Sequence, residues 1–225
     1  MIKVCVLGSG SKGNAIFVDV DGLPFLIDCG FSKNVIKKKL KDIGRDLKDI
    51  AGVFVTHRHS DHLAPWVENE IMVRFPETYK GGVVVKAFDL SHDEPCVGYI
   101  VKDKDGNKVA VISDTGCISE EALGYLFDCT AILIECGYDV DMLVNGTYET
   151  ELQERIASDV GHLLNEDAAA VIKMVDWPGL KYVVGLHLSE HNNNPALVRN
   201  CLESVTGAEV VIAGQYENSK MMVMI

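Results

Sequence analysis

The heptapeptide Thr56-His57-Arg58-His59-Ser60-Asp61-His62 constrains this chain more than any other stretch. It follows Gly52-Val53-Phe54-Val55, a β-branched and aromatic run of the kind that forms a buried strand. The cluster is therefore expected where a strand gives way to a loop. In extended backbone His57 and His59 project to one side, because side chains alternate with a period of two. Asp61 and His62 follow as the chain turns. Imidazole suits zinc and similar ions, and a carboxylate extends the range to harder cations. For a lone histidine, a plain polar loop would be the ordinary reading. Three histidines and an aspartate within six residues instead have the density of a metal site, with ligands for two adjacent ions.

The rest of the composition sets the frame for that site. At 225 residues the chain is sized for a single domain, 1–225, and its hydrophobic share of 48% is ample for a packed core. No apolar run approaches a membrane span. Met1 leads directly into the strand-like Ile2-Lys3-Val4-Cys5-Val6-Leu7, without a basic-then-apolar signal region. The seven cysteines are scattered and odd in number, with no Cys-x-x-Cys pair. That argues against a disulfide framework and for a reducing, cytoplasmic setting. A formal charge of −12 weighs against broad, nonspecific binding to nucleic acid, which basic surface drives.

Along the chain, Gly8-Ser9-Gly10-Ser11-Lys12-Gly13-Asn14 reads as a tight turn that can also bring backbone N–H groups close to an anion. Residues 15–20 and 23–27 form a hairpin turned at Asp21-Gly22 and ending at Asp28-Cys29-Gly30. Ser32 is expected to cap a helix that stops at Gly44. A short helix is expected over 63–70 and a strand at 83–85. From Tyr99 the order repeats. A hairpin turned at Asp105-Gly106 ends at Ser113-Asp114-Thr115-Gly116, Ser119 caps a helix, and a buried strand from Ala131 ends at Glu135. Residues 138–150 read as irregular and 151–158 as helical, and Asn165 is expected to cap a helix through Val175. A strand over 182–186 ends in His187-Leu188-Ser189, a helix covers 195–205, and Val210-Val211-Ile212 closes the fold. All seven histidines, at 57, 59, 62, 92, 162, 187 and 191, fall at strand ends or in loops.

The His-x-His-x-Asp-His pattern resembles the metallo-β-lactamase superfamily. That resemblance implies an α/β (α+β) four-layer αββα sandwich with a two-metal site at one edge of its sheets. Carried over by motif, it implies that His57, His59 and His92 hold one ion, that Asp61, His62 and His187 hold the second, and that Asp114 bridges both. Asp28 would fix their geometry from behind. A finer resemblance is to the bacterial YycJ/WalJ subgroup, within the phosphodiesterase branch that contains ribonuclease Z and PhnP. It rests on residues 7–14, Ser91-His92-Asp93, residues 113–116, Gly161-His162-Leu163 and His187-Leu188-Ser189. It implies a metal-dependent phosphodiesterase or nuclease, for the subgroup a 5′-to-3′ exonuclease on duplex DNA, with two divalent ions, Zn²⁺ first and Mn²⁺ as the alternative. A water activated between the ions would attack phosphorus, Asp61 would orient it, and His162 would act on the phosphate rather than hold metal. Two features depart from the subgroup. The segment from His62 to His92 is short, and His162 is followed by Leu163-Leu164-Asn165 where the subgroup has Leu-Ser-Asn. A thioester or lactone hydrolase of the same superfamily, or a catalytically weak DNA-binding adaptor, are the competing readings. For an acidic protein, Lys33, Lys37 and Lys41 share one helical face, widened by Lys38 and Lys39, and with Lys12 could follow a DNA backbone.

Overall fold

The structure, a computed structural model, describes residues 1–70, 73–74 and 83–225. The stretch 75–82, part of the short His62-to-His92 segment, lies outside the described residues. The first half runs β1 (Ile2–Gly8), β2 (Ala15–Val20), β3 (Leu23–Ile27), α1 (Lys33–Asp42), β4 (Val53–Phe54), α2 (Pro65–Glu70) and β5 (Val73–Arg74). The second runs β6 (Val84–Leu90), β7 (Cys96–Lys102), β8 (Lys108–Ile112), α3 (Glu120–Gly124) and β9 (Ala131–Glu135). It continues through α4 (Val140–Val144), α5 (Thr150–Ile156), α6 (Asn165–Val175), β10 (Tyr182–Leu186), α7 (Pro195–Glu203), β11 (Glu209–Ile212) and β12 (Met222–Met224).

Two six-stranded sheets result, in the orders β12-β1-β2-β3-β4-β5 and β11-β10-β9-β8-β7-β6. The internal repeat is visible in this topology. β2–β3 and β7–β8 are antiparallel hairpins, and β3–β4 and β8–β9 are the parallel crossovers that follow them. The first hairpin turns where Asp21 and Gly22 both have positive φ, as a two-residue hairpin turn requires.

The four layers follow from how the strands alternate. In β8, Val109 and Val111 face the core between the sheets, while Ala110 and Ile112 face the helices. The inner core joins Val4, Val18, Phe54 and Tyr99 to Leu133 and Val184. Outside it, Ile36 and Leu40 of α1 cover Leu7, Phe17 and Leu26. On the other side Ala168 and Ile172 of α6, with Val198 of α7, cover Ile132 and Ile134. Strands buried on both faces read as continuous apolar runs, which is why 131–134 shows no polar alternation.

Several local expectations are corrected. The chain does not close at 210–212. β12 crosses back to pair with β1, so both ends of the described chain meet in one sheet. Residues 140–144 form α4, capped by the Asp139 side chain on Met142 N, in a segment that reads as irregular. Asn165 is the first residue of α6 and not its cap. Its amide is buried against Asn193, because tertiary pairing outcompeted the local capping role. Ser32 occupies the cap position of α1 without making a side-chain cap bond, whereas Ser119 does cap α3. Lys39 is not on the basic surface. Its stem is buried and its ammonium donates to Leu7 O and Tyr216 O.

Candidate metal centre

Parallel strands deliver their C-terminal ends to one edge of the sandwich, the usual place for a site in such sheets. Asp28 follows β3, residues 56–62 follow β4, His92 follows β6, Asp114 follows β8, Glu135 ends β9 and His187 follows β10. Asp28, Asp114 and His187 all sit in the left-handed region, with φ of 57°, 52° and 52°. This turns each side chain out of its strand line toward the edge. Such conformations are uncommon outside glycine and cluster at functional sites. Gly30 allows the closest approach: a Cβ there would lie 1.6 Å from Asp61 O. The Asp28-Cys29-Gly30 turn can therefore pack directly under the histidine loop.

The structure brings together all seven of the residues assigned to metal by motif. One donor atom each from His57, His59, His92 and Asp114 lie within 4.8 Å of one another, as do one each from Asp61, His62, Asp114 and His187. Asp114 is common to both groups. His162 joins a third group with Glu135 and His187. His191 stands apart, edge-on to Tyr148.

The fit of this donor set to cations can be tested on its hydrogen bonds. In four of the histidines Nδ1 meets an oxygen partner. His62 Nδ1 lies 2.7 Å from Asp28 Oδ2, and His57 Nδ1 lies 3.0 Å from Thr56 Oγ1. His92 Nδ1 lies 3.2 Å from Gly161 O, and His187 Nδ1 3.3 Å from Glu135 Oε1. Partners of this kind hold the proton on Nδ1 and leave Nε2 bare, the form a metal ligand needs. His92 Nε2 and His187 Nε2 are buried and have no hydrogen-bond partner, although carboxylate oxygens stand nearby. For His62 the tautomer is fixed from the other side too. Asn14 Oδ1 accepts from Gly10 N and its Nδ2 donates to Gly10 O, so the amide orientation is settled by the backbone. Nδ2 then points at His62 Nε2 from 2.8 Å, which must accept.

Charge balance points the same way. Asp28, Asp114 and Glu135 are buried, and their polar partners are imidazoles, hydroxyls and backbone N–H groups, with no lysine or arginine among those of the described residues. Buried carboxylates need compensating positive charge. Burial disfavours charge on His187, but Asp114, Asp61 and Glu135 outweigh it and pull the ring up to about 10. Burial and the neighbouring His62 push His57 down to about 3, so it is the neutral ligand form at physiological pH. A cluster that recruits protons onto buried imidazoles, and leaves imidazole nitrogens unpartnered, fits divalent cations.

Three supporting residues went unassigned from sequence. Thr56 Oγ1 bridges Asp28 Oδ2 at 2.9 Å to His57 Nδ1. Asn14 fixes the His62 tautomer through its Nδ2. Glu135, wholly buried, accepts from Thr115 N at 2.7 Å and holds His162 Nδ1 at 2.7 Å. A lone acid at the end of the apolar run 131–134 was its sequence signal. Asn14 carried none beyond its glycine-rich neighbours. Burial opposes charge on His162, yet Glu135 raises its pKa above the usual value. Lys12 is engaged by Glu190 Oε2 at 2.7 Å and by the Tyr216 hydroxyl at 2.9 Å.

With this geometry the comparisons with known proteins agree. A family model described as the metallo-beta-lactamase superfamily matches residues 8–64. Over 230 aligned residues the chain is 31% identical to the exodeoxyribonuclease YycJ of Bacillus anthracis, covering 89% of this chain and 87% of that protein. The chain belongs to the metallo-β-lactamase superfamily and, within it, to the YycJ/WalJ family. Among solved structures, the metallo-beta-lactamase fold protein YhfI from Bacillus subtilis aligns with a TM-score of 0.73 at 16% identity, over 98% of each chain. The short form of human tRNase Z aligns with a TM-score of 0.66 at 17% identity, over 98% of this chain and 100% of that one. At these identities the likeness is one of fold. Among the described residues no helix is long and apolar enough to cross a membrane.

Proposed function

We propose that this protein is a metal-dependent phosphodiesterase acting on nucleic acid, with DNA the favoured substrate and 5′-to-3′ exonuclease action its mode. One observation carries the reading: two ligand groups share Asp114, and His162, held by a buried glutamate, stands beside them on the wall of a cavity of about 240 Å³. His57, His59, His92 and Asp114 would hold one divalent ion, and Asp61, His62, His187 and Asp114 the other, with Zn²⁺ favoured and Mn²⁺ as the alternative. Such a pair supplies Lewis acidity at a phosphate oxygen and lowers the pKa of a nearby water.

The remaining chemistry belongs to the chain. Burial works against charge on Asp61, but the His187 and His62 rings, 3.7 and 3.6 Å from its Oδ2, outweigh it and keep it ionised. Its Oδ2 also lies 3.3 Å from Asn14 Nδ2. Asp61 is thus an acceptor that orients the attacking water and is not a strong base. Glu135 fixes the His162 proton on Nδ1 and favours the doubly protonated ring, so Nε2–H is free to donate. As the water oxygen bonds to phosphorus and the ester P–O bond breaks, that proton passes to the leaving oxygen.

The test is to incubate metal-loaded protein with 5′-labelled duplex DNA, single strands, RNA, bis-p-nitrophenyl phosphate and a thioester in parallel. Stepwise release from the 5′ end of duplex DNA, abolished by a chelator, is expected. Thioester hydrolysis without phosphodiester cleavage would overturn the reading in favour of an acyl substrate. Tight DNA binding with only weak, chelator-resistant activity would favour the adaptor.

A further inference from the structure

The cavity lined by His162 and His187 is also lined by an unexplained polar group. Asn192 is 1% exposed, and neither Oδ1 nor Nδ2 of its amide has a hydrogen-bond partner. Buried polar atoms in folded proteins are nearly always paired, so each exception asks for a reason. Its neighbours in sequence have theirs. Asn193 donates to Cys136 O and pairs with Asn165, while Asn194 caps α7. The Asn192 backbone is held on both sides, its N–H donating to Ser189 Oγ and its carbonyl accepting from Asp139 N. A side chain on so fixed a backbone is held in place and not loose. Space is kept for the amide at Gly146, where a Cβ would lie 2.8 Å from Asn192 Oδ1.

Part of the same lining is apolar and aromatic. Tyr148, Leu152 and Val160 line the cavity, and Leu152 and Val160 remain 40% and 45% exposed. Arg155 also borders it, but its guanidinium is engaged by Asp93. Away from the histidines, the lining therefore offers no unpaired lysine or arginine to an anion. It sets apolar and aromatic side chains beside an amide that has one unpaired donor and one unpaired acceptor. A nucleobase matches it, having π-faces to stack and an edge with adjacent donor and acceptor atoms.

We propose that this cavity is a nucleobase pocket, in which the Asn192 amide reads the edge of one base and Tyr148 packs against its face. The assignment rests on the phosphodiesterase reading for the placement of the phosphate at the metal centre. The base of the nucleotide next to the scissile bond then enters the cavity. A volume of about 240 Å³ suits one nucleotide unit and not a stretch of polymer. Stacking and an amide–base pair are each worth about 1–3 kcal/mol, so each should contribute at least about fivefold in affinity.

The experiment titrates metal-loaded protein with 5′-dAMP and with 2-deoxyribose 5-phosphate, which differ only in the base, by calorimetry. Wild-type protein should bind 5′-dAMP at least about 25-fold more tightly. Asn192→Ala and Tyr148→Leu should each shrink that ratio by about fivefold or more, with deoxyribose 5-phosphate as the internal reference. Equal affinities in the wild type, or an unchanged ratio in both variants, would overturn the proposal. Should Asn192→Ala fail to fold, Tyr148→Leu, at a half-exposed loop position, carries the same test. Cleavage of bis-p-nitrophenyl phosphate is measured alongside. No cleavage together with base discrimination refutes the phosphodiesterase reading and leaves the pocket standing. Cleavage without discrimination does the reverse.

Discussion

Replacing Asp28 by asparagine separates the positioning of a ligand from the ligand itself. Asp28 touches neither cluster's shared carboxylate nor the cavity. Its Oδ1 accepts from Thr56 N at 2.8 Å, and its Oδ2 faces His62 Nδ1 at 2.7 Å. Asparagine keeps the first bond and tolerates the φ of 57° at this position. It changes the second. An amide N–H turned to Nδ1 demands a lone pair there, which moves the imidazole proton to Nε2. That atom lies 3.3 Å from Asp114 Oδ2 and faces the donating amide of Asn14. A protonated Nε2 has no lone pair for an ion, so the Asp61, His62 and His187 group loses a ligand while the other group keeps all of its own. Loss of such an outer partner costs about 10–100-fold in metal affinity, or roughly 1.4–2.7 kcal/mol. The assay is a Zn²⁺ titration of metal-free protein against a competing chromophoric chelator, with thermal unfolding followed in parallel. One ion should bind as in the wild type and the second 10–100-fold more weakly. Both ions binding within twofold of the wild type would refute the tautomer argument. Equal weakening of both would show that Asp28 supports the whole edge and not His62 in particular.

Elemental analysis of the wild type should give two divalent ions per chain, and His57→Ala should reduce that number; at most one ion in both proteins would sink the two-metal centre. Asp61→Ala should abolish hydrolysis while unfolding stays cooperative, because the other ion keeps its own ligands; full activity would remove Asp61 from the mechanism. His162→Ala should lower phosphodiester turnover by about 10²-fold or more while metal content stays near two. Loss of an ion in that variant would make His162 a ligand. Replacing Lys33, Lys37 and Lys41 of α1 by glutamine should flatten the salt dependence of duplex DNA binding by about 2.7 in log–log slope. It should leave bis-p-nitrophenyl phosphate untouched, and an unchanged slope would reject α1 as a backbone contact.

The metal edge was legible in the sequence because its chemistry is written locally. The histidine loop after a buried strand, and the hairpins ending at Asp28 and Asp114, are short-range patterns whose residue types have few other uses in such numbers. The apolar run from Ala131 to Ile134 likewise made a buried strand readable. What tertiary structure decided is whatever depends on partners far apart in sequence. β12 joins β1 across the length of the described chain, and no local pattern announces that return. Lys39 looked like one more surface lysine until the carbonyls of Leu7 and Tyr216 took its ammonium. Asn165 had the profile of a helix cap and was drawn instead into a buried amide pair with Asn193, since two amides can satisfy each other away from water where a cap satisfies only one N–H. Glu135, Asn14 and Asn192 are ordinary residues by sequence. Only the fold sets the first against His162, the second against His62, and leaves the third in the lining of a cavity with both amide atoms unpaired.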